Sequence, residues 1–126
     1  MGTPVHHQFT VHIAAGQVIF NQNVSVLAGK ALLIEHVSGS IFLPSGQVAI
    51  ISLITSAFQI DTALATQTGT HFFPVTIYPS GALNQAVFGQ TTQIHTMVGS
   101  GVGLTVARST TSGTVDGQVT ISGELL

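Results

Sequence analysis

Strict two-residue alternation is the feature that most constrains this chain. Val115, Gly117, Val119, Ile121 and Gly123 alternate with Thr114, Asp116, Gln118, Thr120 and Ser122. Phe9, Val11 and Ile13 alternate with Thr10 and His12, and Val102, Leu104 and Val106 alternate with Gly103, Thr105 and Ala107. Successive side chains of a strand point to opposite faces, so this pattern sends one face to a core and the other to water. No segment combines a 3.6-residue apolar period with helix caps. The expected fold class is all-β.

Turn signals cut the chain at regular intervals: Ala15-Gly16, Ala28-Gly29-Lys30, Pro44-Ser45-Gly46, Pro79-Ser80-Gly81, Gly99-Ser100-Gly101 and Ser112-Gly113. They leave strands near 6–13, 17–26, 31–43, 46–55, 70–78, 85–97, 102–109 and 114–125. Eight strands at this spacing predict one antiparallel eight-stranded β-sandwich, jelly-roll-like, over residues 1–126. A chain of 126 residues is one ordinary domain with room for a two-layer core. Pro44-Ser45-Gly46 reads as the clearest hairpin. The strand after it, Val48 to Ile54, is apolar at nearly every position, which predicts burial on both faces: one in the core, the other against a second subunit. Ser56 to Thr70 is the least regular stretch and reads as a long loop, with a short helix or edge strand in Asp61–Ala65 as the alternative.

Composition matters through charge. Lys30, Arg108, Glu35, Asp61, Asp116 and Glu124 are the only charged residues, 5% of the chain against about 25% in a typical soluble domain. Surface charge keeps proteins apart, and strand edges are commonly guarded by Lys, of which there is one. A neighbouring copy of the same chain is the simplest cover, so a homo-oligomer is expected. The alternative is a monomer with an uncharged Ser, Thr and Gln surface. Two cations in the whole chain argue against nucleic acid and against a polybasic membrane patch. No apolar run approaches the roughly 18 residues of a spanning helix, so no membrane insertion is expected. Met1 to His6 lacks the basic and apolar regions of a signal peptide. There is no cysteine, hence no disulfide or thiol chemistry, and no compartment is assigned.

The residues offer little catalytic chemistry. Asp116 and Glu124 share one strand and one face, but eight strand residues separate them by roughly 26 Å, too far for an acid–base pair. His6, His7, His12, His36, His71 and His95 show no HxH or HExxH spacing, and His36 and Glu35, as strand neighbours, point to opposite faces. A metal site would need ligands from separate strands or subunits, with His71 and His95 the best candidates. There is no GxSxG elbow for a nucleophile. Sugar binding would rest on Tyr78, Gln59, Asp61, His71 and Asn84, in a chain without Trp. With so few charges, an Arg108–Glu35 ion pair between strands or subunits is also expected.

Several segments resemble a group of small uncharacterised bacterial all-β proteins: Ala28-Gly29-Lys30 through Ser38, His71-Phe72-Phe73, Val87-Phe88-Gly89, Arg108-Ser109-Thr110-Thr111-Ser112-Gly113-Thr114 and Val119 to Gly123. Glu124 departs from the group's aromatic residue at that place. The resemblance implies a β-sandwich and carries no catalytic residue. The expected role is therefore non-catalytic: a self-assembling structural or scaffold protein, without a cofactor, whose partners are copies of itself. A lectin-like carbohydrate-binding module is the alternative, and a metal-binding cupin-like protein the third reading.

Overall fold

A computed structural model of the chain describes residues 2–61 and 65–126. Nine strands follow in chain order: β1 (Thr3–Ile13), β2 (Ile19–Ser25), β3 (Leu32–Pro44), β4 (Ala49–Phe58), β5 (Thr66–Phe73), β6 (Thr76–Ser80), β7 (Leu83–His95), β8 (Gly101–Arg108) and β9 (Val115–Leu125). They form a five-stranded sheet in the order β1-β9-β3-β7-β6 and a four-stranded sheet in the order β2-β8-β4-β5. All pairings are antiparallel. Four of them nest: β1 pairs with β9, β2 with β8, β3 with β7 and β4 with β5. The chain is thus wound like one long hairpin whose two arms pass together from sheet to sheet.

The alternation places the core as expected. Phe9, Val11 and Ile13 of β1, and Val102, Leu104 and Val106 of β8, are buried between the sheets. Ile51 and Leu53 of β4 face Ile34, Val37, Ile41 and Leu43 of β3 across the same core. Each such side chain stabilises the fold by roughly 1.5–3 kcal/mol.

The structure corrects the sequence reading at four places. The expected strand at 70–78 is two strands, β5 and β6, in different sheets. Pro74 lies between them, and a proline has no N–H with which to continue a ladder. The expected hairpin at Pro44-Ser45-Gly46 is a crossover, because β3 and β4 belong to different sheets. The hairpin connections are β4–β5 and β6–β7, the second turning at Gly81 with φ 64°. Of the two faces of the strand Val48 to Ile54, one lies in the core, with Ala49, Ile51 and Leu53, and the other, with Val48, Ile50 and Ile54, is exposed in the single chain.

The long loop expected from Ser56 to Thr70 is shorter. β4 runs on to Phe58 and β5 starts at Thr66, with Ser56↔Thr68, Ala57↔Gln67 and Phe58↔Thr66 paired. This part of the ladder is mostly exposed, so no buried side chains mark its period. The short element considered for Asp61–Ala65 falls on Thr62, Ala63 and Leu64, outside the described residues. Finally, Glu35 and His36 are both exposed. The register of β3 shifts between Ile34 and His36, so Glu35 is the extra residue of a β-bulge. The bulge lets Ile34 and Val37, three apart, both reach the core.

Candidate functional site

The outer face of the four-stranded sheet is built by the residues that alternate with the core. Register places Ile19, Ala107 and Ile50 in one cross-strand row. The next row is Asn21, Thr105, Ser52 and Phe72, and the one after it Asn23, Gly103, Ile54 and Thr70. Ile50 is 56% exposed, Phe72 67%, Phe58 56% and Ile19 49%. Polar groups on the face satisfy one another, as where the Thr105 hydroxyl donates to Asn21 Oδ1 at 2.7 Å. The middle of the face carries small residues. Ser52 is buried, and a Cβ on Gly103 would lie 2.6 Å from Asn23 Oδ1.

None of these positions carries a charge. The six charged residues lie elsewhere: Glu35 on β3, Asp116 and Glu124 on β9, Lys30 and Asp61 in loops, and Arg108 buried at the inner end of β8. The outer face of the five-stranded sheet has the opposite character. There His12 Nδ1 meets Asp116 Oδ1 at 2.6 Å, both side chains exposed. One cross-strand row there reads His12, Asp116, Phe42, Gln85, Tyr78.

The residues singled out for sugar binding do not meet in one place. Gln59 and His71 line an open cleft of about 530 Å³ at the β5 edge. His71 is half-buried there, with Nε2 3.0 Å from Thr55 Oγ1. Asp61 is exposed in the loop after β4 and is not among the residues lining the cleft. Tyr78 is exposed on the other sheet. Asn84 is buried, and its amide donates to the Gln47 carbonyl at 3.4 Å. His95 shares the cleft with His71. Among the described residues no group of three or more His, Cys, Asp or Glu side chains is placed to hold a metal ion.

The expected Arg108–Glu35 pair does not form within the chain. Arg108 points inward beside Ala49 in the four-stranded sheet, whereas the bulge leaves Glu35 exposed on the other sheet. The guanidinium binds carbonyls instead. Nε donates to Gln17 O at 2.8 Å, Nη1 to Ser112 O at 2.9 Å and Nη2 to Ala14 O at 3.0 Å.

The sequence places the outward side of Val48 to Ile54 against a second subunit, but only the register of β2, β8, β4 and β5 adds Ile19 and Phe72 to the same face. Its signal is present in the apolar run Val48 to Ile54, broken only by Ser52, and in Phe72 beside Phe73. No family model matches the chain, and no curated protein matches it; the group of bacterial all-β proteins is not shown by either comparison. Among solved structures the chain is similar to one described as "Structure of infectious bursal disease virus Gx strain", with 17% identity and a TM-score of 0.44. That match covers 96% of this chain and 32% of the viral one, so the chain spans about a third of that structure's length. A likeness at this level defines neither fold nor function.

Proposed function

We propose that this protein is a non-catalytic, self-assembling β-sandwich with a structural or scaffold role as a homo-oligomer. The single observation that carries this reading is the outer face of the four-stranded sheet, which is free of charge and exposes Ile19, Ile50, Ile54, Phe58 and Phe72 among uncharged polar side chains. In a two-fold contact one patch meets its own copy, and residues near the axis meet themselves, so like charges there would repel. A face with no charges meets that condition without further adjustment. The strands of this sheet are 7, 8, 10 and 8 residues long. At about 4.8 Å between strands and about 3.3 Å per residue, the face measures roughly 19 by 27 Å, on the order of 500 Å². Two such faces together bury on the order of 1,000 Å², the lower bound for a stable interface.

The architecture is read here as a jelly roll with one addition. Setting β6 aside as an extra strand beside β7 leaves eight strands in four nested antiparallel pairs split over two sheets. Folds of this kind host many functions, so the face rather than the fold supports the role.

Sedimentation velocity over a concentration series tests the reading. The wild-type chain is expected to form oligomers, and Ile50→Asp, which puts a charge on the exposed face, is expected to be monomeric with an unchanged circular-dichroism spectrum. A monomeric wild-type protein at every concentration would overturn it.

One observation favours carbohydrate binding as a second reading. Tyr78 and Phe42 are exposed in one row with Gln85 between them. Two rings flanking an amide can stack on and hydrogen-bond a sugar chain. Titration with soluble oligosaccharides, comparing wild type with Tyr78→Ala, checks it; no heat with either protein rejects this second reading.

A further inference from the structure

A second cleft opens between the sheets where β1 and β2 form their adjoining edges. Its volume is about 190 Å³. Val5, Val24, Val26, Ile34, Ile121 and Leu125 give it apolar walls. His7 enters from β1, on the inward side of the strand, in line with Phe9 and Val11. Its ring meets Phe9 edge to face, with centroids 4.6 Å apart and planes at 74°. This contact fixes the imidazole, and it leaves Nε2 buried without a hydrogen-bond partner among the described residues.

A buried ring nitrogen without a partner is unusual, because such groups are nearly always satisfied. A single water needs two to four polar partners, whereas the walls are mostly apolar, with Ser25, Ser122 and His6 the polar side chains beside His7. A molecule with an apolar body and one polar atom fits both features. An apolar cavity of about 150 Å³ accepts a benzene ring, so 190 Å³ suits a six-membered ring with one substituent. The polar atom must suit an imidazole nitrogen, which donates or accepts depending on whether it carries the proton. A hydroxyl can do either.

We propose that this cleft is a binding site for a small amphiphile: one apolar ring, or a chain of similar size, bearing a hydroxyl that hydrogen-bonds to His7 Nε2. The site lies between the sheets, apart from the apolar outer face, and stands or falls independently of assembly.

The test uses phenol and benzene as probes on the full chain, followed by NMR. Methyl signals of Val24, Val26, Ile34 and Leu125 report the walls, and the imidazole nitrogen-15 shift of His7 reports the polar contact. Phenol is expected to move all of these signals and to bind about tenfold more tightly than benzene, the effect of one hydrogen bond in an apolar site. In His7→Phe, which keeps the ring contact with Phe9, the two probes are expected to bind equally. The wild-type comparison needs no variant, so it holds even where that variant folds poorly. Equal affinity of the wild type for both probes with an unmoved Nε2 signal overturns the proposal. So does the absence of any methyl shift, or occupation of the cleft by a side chain of a second copy, seen as intermolecular contacts to Val26.

Discussion

Arg108 donates its Nε–H to the carbonyl of Gln17 at 2.8 Å, tying the end of β8 to the turn between β1 and β2. The same side chain reaches Ala14 and Thr111 through Nη2, and Ser112 and Gln47 Oε1 through Nη1. Arginine has five N–H donors, and here they face five oxygens. No carboxylate is involved, so carbonyl dipoles balance a buried charge. Lysine cannot reproduce this fork. Arg108→Lys is expected to lower stability by about 2–4 kcal/mol, because a buried cation loses most of its hydrogen bonds and several carbonyls lose their donors at once. For a chain of this size the melting midpoint would fall by roughly 10 °C. Urea and thermal unfolding check this, and an unchanged midpoint would remove Arg108 from its place as the clasp of this end of the sandwich.

Gln47 belongs to the same network. It is buried, accepts from Arg108 Nη1 at 3.4 Å, and donates to Ser112 O at 2.7 Å. Groups that share partners do not contribute independently. Gln47→Ala is therefore expected to cost about 1–3 kcal/mol in the wild type and clearly less in an Arg108→Lys background. A double-mutant cycle from denaturant titrations measures the difference. Strict additivity would mean the two side chains act separately.

Gly123 faces the core from β9 opposite Ile34 of β3. A Cβ there would collide with the carbonyl oxygen of Leu33, a backbone atom that cannot step aside. Gly123→Ala is expected to destabilise by about 2 kcal/mol or more through the shift it forces between β3 and β9. Gly89→Ala is the control: its added carbon would find its nearest neighbour, His36 Nε2, at 3.9 Å. That change should stay within about 0.5 kcal/mol. Parallel denaturation curves decide it, and equal losses for both would show that general strand flexibility matters and the close approach does not.

The contrast between these sites shows what the chain's own order of residues makes legible. Val115 to Gly123 alternates so strictly that β9 and its inward face could be read directly, and β1 and β8 were equally clear. The split at Pro74 was harder, because Phe72, Phe73, Val75 and Ile77 look continuous when sheet membership is unknown. The crossover at Pro44 was misread for a related reason: a turn signal says that the chain reverses and not which sheet receives it. The clasp of Arg108 was hidden because its partners are backbone carbonyls, which every residue has. The uncharged face was half visible. The apolar run of β4 announced two apolar sides, but only the register with β8 and β5 brings Ile19, Ile50, Ile54 and Phe72 onto one surface. The His7 cleft left no trace in spacing, since an unpaired nitrogen is a property of packing.

The uncharged face also sets how association should respond to salt. Salt weakens interactions between exposed charges, and at physiological ionic strength those more than about 8–10 Å apart are largely screened. With no charged side chain on the face, contact between two copies has little Coulomb energy to screen. Hydrophobic burial is strengthened by excluded salts such as sulfate and is weakened on cooling. The dissociation constant of the oligomer is therefore expected to stay within about twofold between low and moderate sodium chloride, to fall with ammonium sulfate, and to rise towards low temperature. Sedimentation equilibrium under these conditions reads all three trends. A dissociation constant that rose steeply with sodium chloride would place the contact on the five-stranded sheet, where His12, Asp116 and Glu124 lie, and would move the proposed assembly surface to the opposite side of the molecule.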